Sequence, residues 1–424
     1  LINERLPHPI VPLLYYGTAY AAISLACLLV GLAPRAVAGF FYHSWMVAIV
    51  HLVTLGWITS SILGSLYLVA PLALGLSMPV RRTDYAAYVF VLVGIVGMVA
   101  HFWLEEYGGM AWSAATVTVG VLFVASRTAI RLRYAQLPAA VTLHIRLSCL
   151  NLAIAATMGV LLAFDKVHHF LGGFVLTNVF AHAHMAAIGW ATMMVVGIAY
   201  RLLPMVLPAK PPTGRSVYAS AILMETGVLG LFVSLLARSR WTPLFGGLIL
   251  AGLGAFVAHV VGMVRHPKRR PPEAPRFDFG IAHAGAAGLW LVGAAIIGAV
   301  LLSRPMSDAT LRASLAYGTF GLLGFLAQMV VAMQVRLIPL FAWYQGYSAS
   351  DFKIPPPSPW TMHDRALQAV TFAAWTFGVP AIGAGLAFEL IPLLAAGAWV
   401  LFAGVAVGAV DNVFALLRGW RSGR

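Results

Sequence analysis

The chain has 424 residues, 61% of them hydrophobic and 9% charged, with 27 Lys and Arg against 13 Asp and Glu for a net charge of +14. That composition excludes a soluble globular protein and predicts an all-α, polytopic membrane protein without a large soluble domain. The basic excess does not mark a nucleic-acid partner, because it is spread over short loops and helix ends.

Twelve apolar segments of spanning length follow one another, over about residues 10–33, 43–76, 84–104, 110–127, 141–164, 173–206, 216–237, 243–265, 278–303, 310–344, 366–388 and 390–417. With twelve spans, both termini share a side with every even-to-odd loop. That side holds 21 of the Lys and Arg, among them Arg5, Arg81, Arg82, Arg270 and Arg424. The other holds six: Arg35, Lys166, Arg238, Arg240, Arg304 and Arg312. The positive-inside rule then places both termini in the cytoplasm of a bacterial-type inner (plasma) membrane, with anionic lipid against the basic loops, of which 265–276 is the strongest. The chain begins on Leu1, so its native start is expected upstream. Cys27 and Cys149 lie inside apolar segments, and no CxxCH offers covalent attachment to haem.

The first segment carries Tyr15 and Tyr16. The second reads HLVTLGWITSSILGSLYLVAP from His51 to Pro71, with His43 eight residues earlier and nearer the external surface. The third ends on His101, followed by Glu105 and Glu106; a solvated helix end accounts for that group, and a ligand role for His43 or His101 is the alternative. The fifth opens with His144, and a polar loop with His168 and His169 follows it. The sixth contains FAHAHMAAIGWATMMVVGIAYRLLP, placing His182 and His184 within an apolar run. An imidazole there is costly unless it faces a partner, so the pair marks a functional site. The seventh segment has one acid, Glu225, read as hydrogen-bonded or as part of a proton path. His259 and His283 lie near the cytoplasmic ends of the eighth and ninth. The tenth has no histidine, and the twelfth carries Asp411 and Asn412.

The second and sixth segments are copies. After His51 and His184 alike, Gly stands at five and thirteen residues, Trp at six, Tyr at sixteen and Pro at twenty. Aligning Arg336 to Pro339 on Arg201 to Pro204 makes the tenth a third copy, with Thr319 at the position of His184 and Phe325 at that of Trp190. The copies are 133 and 135 residues apart. One membrane domain over 1–424 therefore divides into three pseudo-repeats of four helices (10–133, 141–265 and 278–417), each with one long inner helix. The three long helices exceed what a bilayer needs and are expected to tilt or protrude.

Residues two apart on a helix point some 200° apart, so His182 and His184 serve different neighbours. Neutral imidazoles from facing helices suit axial ligation of a haem, and His51 with His184 or His182 is the leading pair. Gly56, Gly64, Gly189 and Gly197 permit close approach of a macrocycle or of another helix. Copper or zinc could use the same histidines. His144, His259 and His283 form a second group by depth, suited to a further haem or to a quinone, with helix-end solvation as the alternative.

Twelve helices in three pseudo-repeats, with an HxH helix and a proline-containing exit, resemble the catalytic subunit of the haem–copper oxidase superfamily. AHAHMAAIG resembles that family's tenth-helix motif, and YLVAPLALG the end of its second helix. The histidine, glycine and proline spacing also resembles NnrS-type membrane haem proteins, linked to the nitric oxide response. The resemblance implies one or two haems b. The departures are equally plain: the tenth helix has Thr319 and no histidine, the seventh lacks a His–His pair, and Ala186 stands four residues after His182 where the oxidases have tyrosine. An oxygen-reducing centre of the usual layout is not expected. Three functions follow: electron transfer with quinol, partner redox subunits or an external cytochrome; nitric oxide or gas binding at a haem or haem–copper site; and a cofactor-free scaffold or transporter.

Overall fold

A computed structural model describes residues 6–269, 272–305 and 307–421. Arg5, Arg270 and Arg424, counted above for orientation, lie outside them. Twelve helices are long and apolar enough to cross a membrane. They are α1 (Val11–Leu32), α2 (Ser44–Leu72), α3 (Arg82–Trp103), α4 (Tyr107–Tyr134), α5 (Ala139–His168), α6 (Val175–Val206), α7 (Ser216–Leu236), α8 (Thr242–Arg265), α9 (Phe279–Ser303), α10 (Asp308–Ala349), α11 (Arg365–Ala387) and α12 (Ile391–Arg421). Among the described residues the only extended pairing is an isolated bridge between Ala209 and Pro267. The protein is a multi-pass helical membrane protein.

Burial separates three helices from the rest. In their most apolar stretches α2 and α10 are 67% buried and α6 is 56% buried, against 11–44% for the other nine. These three pack on one another at the centre, and the others surround them. Within each unit the first helix packs on the inner one and the third on the fourth. α4 meets α5, α8 meets α9, and α12 returns to α1, closing the ring.

Each inner helix changes winding at the same place. Leu52–Thr59, Met185–Thr192 and Thr319–Ala327 are π-helical, with α-helix on both sides. The 133- and 135-residue offsets superpose the last residues of all three segments and the first two starts; the third begins one residue early. π winding opens the ladder to i→i+5 and is concentrated at functional positions. Ser60 and Thr192 donate to carbonyls five residues back, Leu55 at 2.9 Å and Ala187 at 2.8 Å, as that winding requires.

The π segments meet face to face. Trp57 of α2 donates its indole N–H to the Ala327 carbonyl of α10 at 3.0 Å, and Trp190 of α6 donates to Thr59 Oγ1 of α2 at 3.2 Å. Ala327 and Thr59 occupy equivalent positions at the ends of their π segments. One rotation therefore relates both bonds. Phe325 fills the third tryptophan position and has no N–H to give.

The glycines of the repeat are used for helix packing. A Cβ on Gly56 would lie 2.3 Å from Ala22 Cβ in α1, one on Gly189 2.9 Å from Asn151 Cβ in α5, and one on Gly324 2.6 Å from Trp290 Cγ in α9. Each inner helix thus uses its glycine to seat against the first helix of its own unit. Of the two roles open to Gly56 and Gly189, close approach of a helix is the one observed.

One face of the molecule carries the even-to-odd loops and is here called the basic face. On it, Gln345 at the end of α10 donates to the Pro7 carbonyl at 2.7 Å, and Arg201 to the Ala73 carbonyl at 2.8 Å. Among the described glycines the tightest approach to backbone is between α10 and α12, where a Cβ on Gly346 would fall 2.1 Å from the Gly419 carbonyl oxygen. Gly346→Ala is expected to cost about 1–3 kcal/mol, the range for overpacking against rigid neighbours. Reversible unfolding in mixed micelles reads this loss; unchanged stability would mean that α12 shifts freely.

Candidate functional site

His51 and His184 share one local design. His51 Nδ1 donates to the Val47 carbonyl at 2.8 Å and His184 Nδ1 to the Phe180 carbonyl at 2.8 Å, each four residues back. Thr319, the third copy's residue, makes the same bond through Oγ1 to Leu315 at 2.8 Å. His182 Nδ1 donates instead across to the Ala155 carbonyl of α5 at 2.9 Å. A carbonyl only accepts, so every Nδ1 carries the proton and every Nε2 keeps its lone pair. A carbonyl that holds one ring nitrogen in this way orients the imidazole at metal sites.

The HxH pair does serve two neighbours. His182 lies within electrostatic reach of His51. His184 turns to α10, where its Nε2 accepts from the Tyr317 hydroxyl at 3.1 Å, the rings stacked at 5.8 Å. Tyr317 stands 135 residues after His182, at the same position of the repeat. In that pair the second residue of the HxH meets the first equivalent residue of the next inner helix. That observed pair lies between α6 and α10; by position its counterpart between α2 and α6 is His51 with His182. By position, the third pair is Thr319 with Ile49. Chemistry thins out around the ring, from two imidazoles to one imidazole and a phenol to none.

His51 and His182 thus keep Nε2 without a hydrogen-bond partner. Phe102 of α3 stacks on His51 at 5.5 Å. Gly159 of α5 lies beside His182, so close that a Cβ there would be 2.9 Å from the ring. Donor type and tautomer fit imidazoles that would hold a haem iron through Nε2. His184 is less suited as the partner of His51, since Tyr317 occupies its lone pair.

His43 and His101 have other work. His43 caps α2, accepting from the Met46 amide at 3.3 Å through Nδ1, while Nε2 donates to the Val37 carbonyl at 3.1 Å. His101 Nδ1 pairs with Glu106 at 2.9 Å on the rim. Both nitrogens of His43 are occupied, so the geometry gives no support to copper ligation there. Among the described residues no three His, Cys, Asp or Glu side chains converge on a metal-sized point. A haem needs only one or two imidazoles from the protein, so that finding bears on copper and zinc alone.

The inner-half histidines do not form one group. His144 and His259 are joined through Tyr200 and Ser220. His283 lies elsewhere, accepting from Gln328 Nε2 at 3.2 Å, edge-on to Phe372. With Tyr20, Gln334, Asp411 and Asn412 it lines a cavity of about 20 Å³, room for about one water. His144 Nδ1 donates to the Ala140 carbonyl at 2.7 Å and its Nε2 meets Ser220 at 2.9 Å, leaving no lone pair for iron. His168 ends α5 and His169 closes it in the left-handed region at φ 52°, as polar loop residues.

Tyr317 was not singled out in the sequence, although the offset that places Thr319 on His184 also places Tyr317 on His182. His363, whose Nδ1 lies 2.8 Å from Asp411 Oδ2, gave no periodic signal because it lies in the loop before α11.

No protein-family model matches the chain, and no curated protein matches it.

Proposed function

We propose that this protein binds haem b inside the membrane and carries electrons, and that His51 of α2 and His182 of α6 are the residues that would hold it. The supporting observation is that these two imidazoles, on facing helices, each have Nδ1 tied to a carbonyl and Nε2 free. A haem bound there would supply a one-electron carrier. The Val47 and Ala155 carbonyls hold each ring in one tautomer and one orientation. Phe102 shields one face of His51, and the packed tryptophans below keep water from the centre.

Kinship with haem–copper oxidase catalytic subunits or NnrS-type proteins belongs to the same proposal, resting on the HxH helix and the threefold arrangement. So do a cytoplasmic location for both termini in a bacterial-type inner membrane, anionic lipid at the basic loops, and exchange of electrons with quinol, a partner redox subunit or an external cytochrome.

Visible spectroscopy of the purified, reduced protein tests the reading. Sharp α and β bands, unchanged by carbon monoxide, are expected from two filled axial positions. A shift with carbon monoxide would replace electron transfer by gas binding at a single imidazole. Protein that stays haem-free after expression with ample haem supply would end the proposal.

A further inference from the structure

At the face opposite the basic one, α2 and α5 place polar side chains directly above the histidines. Ser44 opens α2 seven residues before His51. Lys166 stands in the last turn of α5, seven residues after Gly159, the glycine that lies beside His182. Seven residues turn a helix through about 700°, within about 20° of two full turns, and advance it by about 10 Å. Ser44 is therefore on the His51 side of α2, and Lys166 on the His182 side of α5, each about 10 Å nearer that face.

These two side chains meet through one tyrosine. Lys166 Nζ lies 4.2 Å from the ring centre of Tyr107, at the start of α4, and 5.6 Å from that of Tyr42. The Tyr107 hydroxyl is 2.8 Å from Ser44 Oγ. One of these hydroxyls donates to the other, so one O–H of the pair remains to be given elsewhere. Lys166 is half-buried and makes no ion pair among the described residues. The neighbouring Asp165 accepts from the Leu171 amide at 2.5 Å instead. Two aromatic faces thus fix an ammonium in place and leave its N–H donors without an acceptor.

A fixed cation beside a spare O–H is a site for a carboxylate or phosphate oxygen. A haem held by His51 and His182 would bring two carboxylates, its propionates, and a charged group is costly in hydrocarbon. They would therefore point to the nearer polar boundary. From His51, α2 continues to Leu72 on the basic side, about 30 Å away, against about 10 Å to Ser44. The shorter length is comparable with the reach from haem iron to its propionate carboxylates.

Cations are scarce at this face. The loops there hold six of the 27 Lys and Arg, and four of the six belong to the α7–α8 and α9–α10 connections. Arg35, before α2, is exposed. Lys166 is the cation that shares a helix side with the His182 neighbour and is packed against the ring that binds Ser44.

We propose that Lys166, with the Tyr107–Ser44 hydroxyl pair, is the site that receives a haem propionate. The inference rests on the haem reading above, and the test separates the two. Full-length, haem-free protein in neutral detergent micelles is titrated with haem b and with haem b dimethyl ester, whose propionates carry no charge; the Soret absorbance follows binding. Lys166→Met is expected to weaken haem b about fivefold, the upper end for a partly exposed ion pair, and to leave the dimethyl ester unchanged. Lys166→Arg keeps the charge and is expected to bind haem b nearly as wild type does. Arg240→Met, in the α7–α8 connection, is expected to bind both haems as wild type does. Equal weakening of both haems by Lys166→Met would overturn the proposal, because Lys166 would then act by packing or by holding a lipid phosphate. Wild-type affinity for haem b in Lys166→Met would overturn it too. Wild-type protein that binds neither haem would overturn the preceding reading, and this one with it.

Discussion

His51→Ala is expected to lose haem, with affinity falling by at least about 100-fold, since even second-shell changes at metal sites cost up to that much. His182→Ala is expected to match it, and His184→Ala to keep most of the haem. The order follows from the lone pairs: Nε2 of His51 and Nε2 of His182 have no hydrogen-bond partner, whereas that of His184 accepts from Tyr317 at 3.1 Å. The haem-to-protein ratio of purified variants, together with the reduced spectrum, measures it. Haem loss in His184→Ala with retention in His182→Ala would exchange the roles of the two. Full occupancy in His51→Ala would remove the pair altogether. Tyr317→Phe is a useful companion, because it frees the lone pair of His184 without changing ring packing.

Arg127→Leu is expected to destabilise the protein by about 3–5 kcal/mol, the cost of leaving a buried charge without its partner. Asp84 is fully buried, and its carboxylate receives the Tyr67 hydroxyl, the Arg81 amide at 2.7 Å and the Arg127 guanidinium. Removing both members, as in Asp84→Leu with Arg127→Leu, is expected to recover much of the loss, so the double-mutant cycle should show strong coupling. Unfolding in mixed micelles is the measurement, and additive single effects would argue against a coupled pair. His259→Gln at the corresponding place in unit 2 is expected to cost only about 0.5–1.5 kcal/mol, because it breaks hydrogen bonds between neutral groups.

The inner helices could be read in the sequence because burial on all sides leaves a long apolar run, and because Gly, Trp, Tyr and Pro recur at fixed offsets. Those residues recur for the reasons the fold displays. Gly56 and Gly189 seat each inner helix on its unit's first helix, and Trp57 and Trp190 bind the inner helices to one another. The π winding was not legible, since nothing in LVTLGWIT distinguishes it from α-helix; it depends on tertiary contacts at the centre. The choice between His182 and His184 was not legible either. Two residues on one turn differ in the neighbour they face, and only the packing of α5 and α10 decides that. His144, His259 and His283 share a depth, which sequence can estimate, but not a direction, which it cannot. His144 and His259 meet across Tyr200, while His283 faces Gln328 in another unit.

The π segments also set the angular phase between the two ends of each inner helix. His51 and His184 lie before the change of winding, and Tyr67 and Tyr200 lie after it. Removing one residue from a helix turns everything beyond by about 100°. A single-residue deletion at Leu55 is therefore expected to leave His51 against Phe102 while swinging Tyr67 off Asp84, which haem content and stability would read separately. Each inner helix behaves as two shafts joined by a coupling. The change of winding lies between the imidazole end and the tyrosine end, and one repeated helix holds different chemistry at its two ends in each of its three copies.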